Sequence, residues 1–155
     1  MNPGPVFTSR APRINHVAMG LPPAELDADH RRLRAEFYGD VFGFTDLDVM
    51  AIDGKRQVFS VHKVEQFVFL VADDEGGVLS CPRLDHFGMS VGAESELDDI
   101  LARARSWRER DPRVDIIDKH TDDHGMLAIT AIYIGFLLPM MVEVQWWDYK
   151  QGGAA

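Results

Sequence analysis

The chain holds one cysteine, Cys81, among its 155 residues, so no intrachain disulfide can staple it, and a reducing cytoplasmic setting is expected. It has no apolar run near the roughly 18 residues needed to cross a bilayer, and its first residues lack a basic-then-apolar signal pattern. No membrane role is expected. Basic residues are in deficit: 16 Lys and Arg stand against 25 Asp and Glu, a net charge of −9. Without a concentrated basic stripe, a nucleic-acid partner is not expected either, because phosphate binding needs clustered cations. The basic stretches "HRRLR" and "RARSWRER" fall on predicted helices beside acidic residues and are expected to be solvated faces. What remains is a soluble globular profile, 46% hydrophobic and 26% charged, suited to a small-molecule or cation ligand.

The residues that are present repeat an order. Residues 1–11, rich in Pro, Gly and Ser, read as a flexible arm, and 149–155 as a tail. In the first half, "RINHVAMGL" alternates as a strand and stops at Pro22-Pro23. Leu26, His30, Leu33, Phe37, Val41 and Phe42 then recur at helical spacing up to a stop at Gly43. Three further strands are predicted in "FTDLDVMAI", "RQVFSVHKV" and "QFVFLVA", with a tight turn at Asp53-Gly54 between the first two. The second half repeats this with a strand "RLDHFGMSV", a helix "SELDDILARARSWRER" and strands "RVDIIDK", "MLAITAIYIG" and "PMMVEVQWW". The expected fold is α+β: two βαβββ modules, 12–75 and 82–148, hinged at "DDEGG" in one structural domain. They are expected to pair into a curved, partly open barrel-like sheet with helices outside.

His16 and His86 occupy the same point of the first strand in each module, each with a small residue two positions on, Ala18 and Gly88. Either histidine taken singly fits a hydrogen-bonded core or rim residue. Glu143 is a third polar group in apolar surroundings, "MMVEVQWW", where an isolated carboxylate is costly unless a cation meets it. Two neutral imidazoles and a carboxylate on converging strands make a metal-binding facial triad. His16, His86 and Glu143 are therefore the candidate metal ligands. Phe69 lies opposite Glu143 when the two halves are overlaid, and Gln66 or Glu65 would approach the site only after a register slip. Alternation puts Trp147 on the Glu143 side, where it can wall a pocket for a planar substrate. His30 and His120 are expected on the surface.

With these residues in place the chain resembles the vicinal oxygen chelate superfamily of glyoxalases, epimerases, fosfomycin and bleomycin resistance proteins, and extradiol dioxygenases. "FYGDVFGF" is similar to the helix-end signature of these modules, and "NHV", "DHF" and "VEV" sit where the family keeps its metal ligands. The resemblance implies a metal-dependent enzyme, most like an extradiol-type dioxygenase, holding a divalent ion, Fe(II) first, with Mn(II) or another divalent ion as alternatives. It also implies a small oxygen-chelating substrate and a homodimer. The series His124, Tyr133, Glu143 resembles the extradiol pattern, which implies that His124 orients substrate and Tyr133 hydrogen-bonds a substrate oxygen. That pattern's further catalytic histidine has no counterpart at Glu65-Gln66. The alternatives are a glyoxalase- or epimerase-like lyase or isomerase, in which Gln66 or Glu65 would add a fourth ligand, and a drug-binding protein without turnover.

Overall fold

The computed structural model describes residues 13–63, 65–73 and 79–150. The proposed arm, the tail beyond Lys150 and most of the "DDEGG" hinge lie outside the described residues. The elements run β1 (His16–Leu21), α1 (Ala28–Phe42), β2 (Thr45–Asp46), β3 (Arg56–Ser60), β4 (Phe67–Ala72), β5 (His86–Val91), α2 (Glu94–Arg110), β6 (Asp115–Asp123), β7 (Leu127–Gly135) and β8 (Met141–Tyr149). This is the expected α+β pattern of two βαβββ modules. The strands form two four-stranded sheets, ordered β1-β4-β3-β2 and β5-β8-β7-β6, which share no ladder and close no barrel. In each sheet the first strand lies parallel to the last and the rest are antiparallel.

Local chemistry sets the boundaries. The Asp27 carboxylate accepts the His30 backbone N–H at 2.8 Å and opens α1. Gly43, at φ 73°, closes it in the left-handed conformation that glycine adopts without strain. At the start of α2 the Glu96 carboxylate accepts N–H bonds from Gly92 and Ala93. The stretch "FTDLDVMAI" departs from expectation: only Thr45–Asp46 is strand, and Asp48–Met50 is a 3-10 turn. Its alternation does not bury a face, since Val49 is 95% exposed.

Each helix lies on one face of its own sheet. Alternation sends Met19, Leu21, Val68 and Leu70 of the first sheet, and Ile132, Ile134, Val142 and Val144 of the second, into one core shared with Phe37, Tyr38, Val41, Leu97, Leu101 and Trp107 of the helices. Phe37 touches the rings of Trp107 and Phe136, at centroid separations of 5.4 and 4.5 Å. The fully buried Tyr38 hydroxyl donates to the Phe136 carbonyl at 2.8 Å, and burial raises its pKa well above the phenol range. The halves are thus bound through their helix-bearing faces, leaving the opposite faces of both sheets open. Among the described residues no helix is long and apolar enough to cross a membrane.

The expectation that "HRRLR" is a solvated face is corrected at Arg34, which is fully buried. Three residues before Phe37 and seven before Val41, it shares their stripe. Its guanidinium donates to Gln57 Oε1 at 2.9 Å and to the Glu25 carbonyl, and burial draws its pKa down to about 10.

Replacing Tyr38 by Phe is expected to cost about 1–3 kcal/mol of stability, the penalty for a buried carbonyl left unpaired. Urea unfolding at an unchanged slope would measure it.

Candidate metal centre

The open face of the second sheet gathers the polar groups. Register sets Gly88 of β5, Glu143 of β8 and Tyr133 of β7 side by side. With Val142 and Val144 in the core, Glu143 must face the other way, where it is only 6% exposed. Both its oxygens are engaged. The Tyr133 hydroxyl donates to Oε1 at 2.6 Å, and His86 Nε2 lies 3.3 Å from Oε2. Gly88 makes room: a Cβ there would stand 3.3 Å from Oε2, tight enough to displace the carboxylate.

The state of His86 follows from its other nitrogen. Nδ1 lies 2.7 Å from the Leu84 carbonyl oxygen, which can only accept, so Nδ1 donates. A neutral ring then turns a bare Nε2 lone pair toward a carboxylate oxygen at 3.3 Å. Two electron-rich atoms held that way repel unless a proton or a cation meets them. Metal-ligating histidines commonly donate their other ring N–H to a backbone carbonyl, as His86 does to Leu84. The hydrogen bond to Glu143, with burial second, pushes the Tyr133 phenol up to about 12, because a phenolate beside that carboxylate would be repelled. At neutral pH Tyr133 is a donor.

On the first sheet, His16 repeats this logic: Nδ1 lies 2.7 Å from Asn15 Oδ1, which leaves Nε2 free, and the ring stands edge-on to Phe69 at 5.6 Å. His16 pairs with Phe67 and Ala18 with Phe69, as His86 pairs with Met141 and Gly88 with Glu143. Phe69 therefore holds the place that Glu143 holds in the second module. Gln66 lines a cleft of about 1050 Å³ between the modules together with His16, Glu143, Gln145 and Trp147. Its Oε1 is buried with no hydrogen-bond partner among the described residues. Glu65 pairs instead with Arg13 at the surface.

Not every expected residue is drawn in. His124 sits exposed in the β6–β7 turn, its N–H bonded to the Leu127 carbonyl. From Leu127 to Tyr133 is six steps of β7, roughly 20 Å at about 3.4 Å per residue, so His124 is distant from Glu143. His16 stands across the cleft from the His86–Glu143 pair, and among the described residues no three His, Cys, Asp or Glu side chains converge on one point. His120, read as a surface residue, lies exposed but stacked on Tyr133.

No family model and no curated protein matches the sequence. Solved structures do match the fold. A lactoylglutathione lyase from Agrobacterium tumefaciens superposes with a TM-score of 0.60 at 18% identity, over 89% of this chain and 96% of that one. A glyoxalase/bleomycin resistance protein from Albidiferax ferrireducens gives 0.59 at 10% identity, over 86% and 98%. A fosfomycin resistance protein from Listeria monocytogenes gives 0.56 at 11% identity, over 88% and 93%. The chain has the vicinal oxygen chelate fold.

The first and last strands of each module carry the four places expected for ligands. Here they hold His16, Phe69, His86 and Glu143. The electrostatic core of the site is the Tyr133–Glu143–His86 chain. If Glu143 holds the phenol, Glu143→Gln is expected to return Tyr133 ionisation from about 12 toward its ordinary value of 10.0. Tyrosinate absorbance on alkaline titration reads this, and a curve unchanged from wild type would contradict the assignment.

Proposed function

We propose that the protein is a divalent-metal-dependent enzyme acting on a small substrate that offers two neighbouring oxygens, of the non-redox lyase or isomerase kind. The observation that carries this reading is His86. Its Nδ1 is committed to the Leu84 carbonyl, and its Nε2 lies 3.3 Å from the buried carboxylate of Glu143, a gap that a proton or a cation fills. His16, His86 and Glu143 would hold the ion, with Phe69 in the fourth place. Two imidazoles with oxygen ligands fit zinc, manganese, nickel or iron alike, so the donor set gives Fe(II) no advantage. When bound, such an ion is a Lewis acid that stabilises negative charge on the oxygens it holds. Tyr133 keeps its proton, fixes the orientation of Glu143 and offers a hydroxyl beside the substrate position. Trp147, 41% exposed on the cleft wall, supplies an apolar surface for the rest of the substrate. The lyase named among the structural neighbours is consistent with this choice.

A second reading, the extradiol-type dioxygenase, is favoured by Phe69, which leaves three protein donors, and by Tyr133 on Glu143. It loses His124, which stands far from the site. Anaerobic Fe(II) loading followed by oxygen uptake with a panel of catechols separates the two: uptake supports the dioxygenase, and its absence from the metal-loaded protein supports the lyase or isomerase. Protein purified without chelator is expected to carry a divalent ion that both His86→Ala and Glu143→Ala lose. A metal-free wild type would instead support ligand binding without turnover.

In this reading His16 reaches the pair from a second copy. Within one chain it stands across the cleft, and β1 and β5 are edge strands with no outer partner among the described residues. Mixing His16→Ala and Glu143→Ala chains is then expected to restore one metal site per mixed dimer. A site completed within one chain would give none.

A further inference from the structure

Strand β6 reaches the site with a bulge. Ile117 pairs with Tyr133, but the next pair is His120 with Ala131, so three steps on β6 answer two on β7. An unbroken antiparallel ladder would set residue 119 opposite Ala131, on the face that carries Tyr133. The extra residue turns Lys119 to the other face, where its ammonium lies 3.0 Å from Glu94 and 2.5 Å from Asp98 of α2. It brings His120 onto the open face instead. There the imidazole lies flat against Tyr133, with ring centroids 5.7 Å apart and planes 10° from parallel. His86 meets the same phenol ring edge-on, at 5.0 Å and 81°. Tyr133 is thus gripped by two rings while its hydroxyl donates to Glu143 Oε1.

We propose that His120 is a positioning residue of the metal site, delivered by the β6 bulge, which holds the Tyr133 ring so that its hydroxyl fixes the Glu143 carboxylate. Bulges near functional sites re-aim a side chain in this way. The same device keeps the Lys119 ammonium away from the place where a cation would bind. Stacking is what the role requires, so another flat ring can substitute for the imidazole.

The inference rests on the metal reading above, and the test keeps the two apart. Mn(II) is titrated into the full-length wild type, His120→Ala and His120→Phe. Partners that orient a metal ligand are typically worth 10–100-fold in affinity, so His120→Ala is expected to weaken Mn(II) binding about tenfold, with His120→Phe within about twofold of wild type. Alanine binding as tightly as wild type, or phenylalanine as weakly as alanine, would overturn the role. If the wild type took up no Mn(II), the metal reading would fall. The Tyr133 ring signals in NMR spectra of the same proteins would then decide. They are expected to move in His120→Ala and return in His120→Phe, and signals unmoved by alanine would overturn the positioning role.

Discussion

The structure turns on one carboxylate that has little water to meet it. Glu143 sits in the second-last place of a four-stranded sheet with its flanking valines in the core and 6% of its surface exposed. Burying a charge without partners costs several kcal/mol or more. Its neighbours read as answers to that cost. Gly88 yields the volume, Tyr133 gives a hydrogen bond, and His86 presents a nitrogen to the remaining oxygen. Because Leu84 fixes the His86 proton on Nδ1, that last contact is satisfied only by a second proton on the ring or by a cation.

The rest of the fold serves to expose that face. Both helices spend their apolar stripes on a single core between the modules, sealed by Phe37, Trp107 and Phe136 and tied by the Tyr38 hydroxyl. The sheet faces turned away from this core carry the histidines, the carboxylate, and exposed apolar groups such as Ile14, Leu84 and Trp147. The break in symmetry at Phe69 makes the two modules unequal: one brings a histidine alone, the other a histidine and a carboxylate.

Much of this was legible in the residues. Period-two alternation fixes which side of a strand a residue faces, so His16 with Ala18, His86 with Gly88, and Glu143 with Trp147 could be assigned to shared faces before any coordinates. Gly43 marked a helix end because no other residue takes its conformation as easily. What escaped depends on distance or on broken periodicity. Arg34 lies on the core stripe, but its charge argues for solvent unless Gln57 and the Glu25 carbonyl are known to be waiting. His120 reaches the site only through a one-residue bulge, which reverses the parity on which the reading depends. The Tyr133 and Glu143 positions of the extradiol-like series fall together because their strands pair. His124 does not, because the hairpin turn places it at the far end of β7.

The direct test of the account is the X-ray absorption spectrum of the wild-type protein loaded with one divalent ion per chain. The account predicts two imidazoles and carboxylate oxygen around the ion, and no such imidazole-ligated ion in His86→Ala. A spectrum with no imidazole, or one that His86→Ala leaves unchanged, would contradict it.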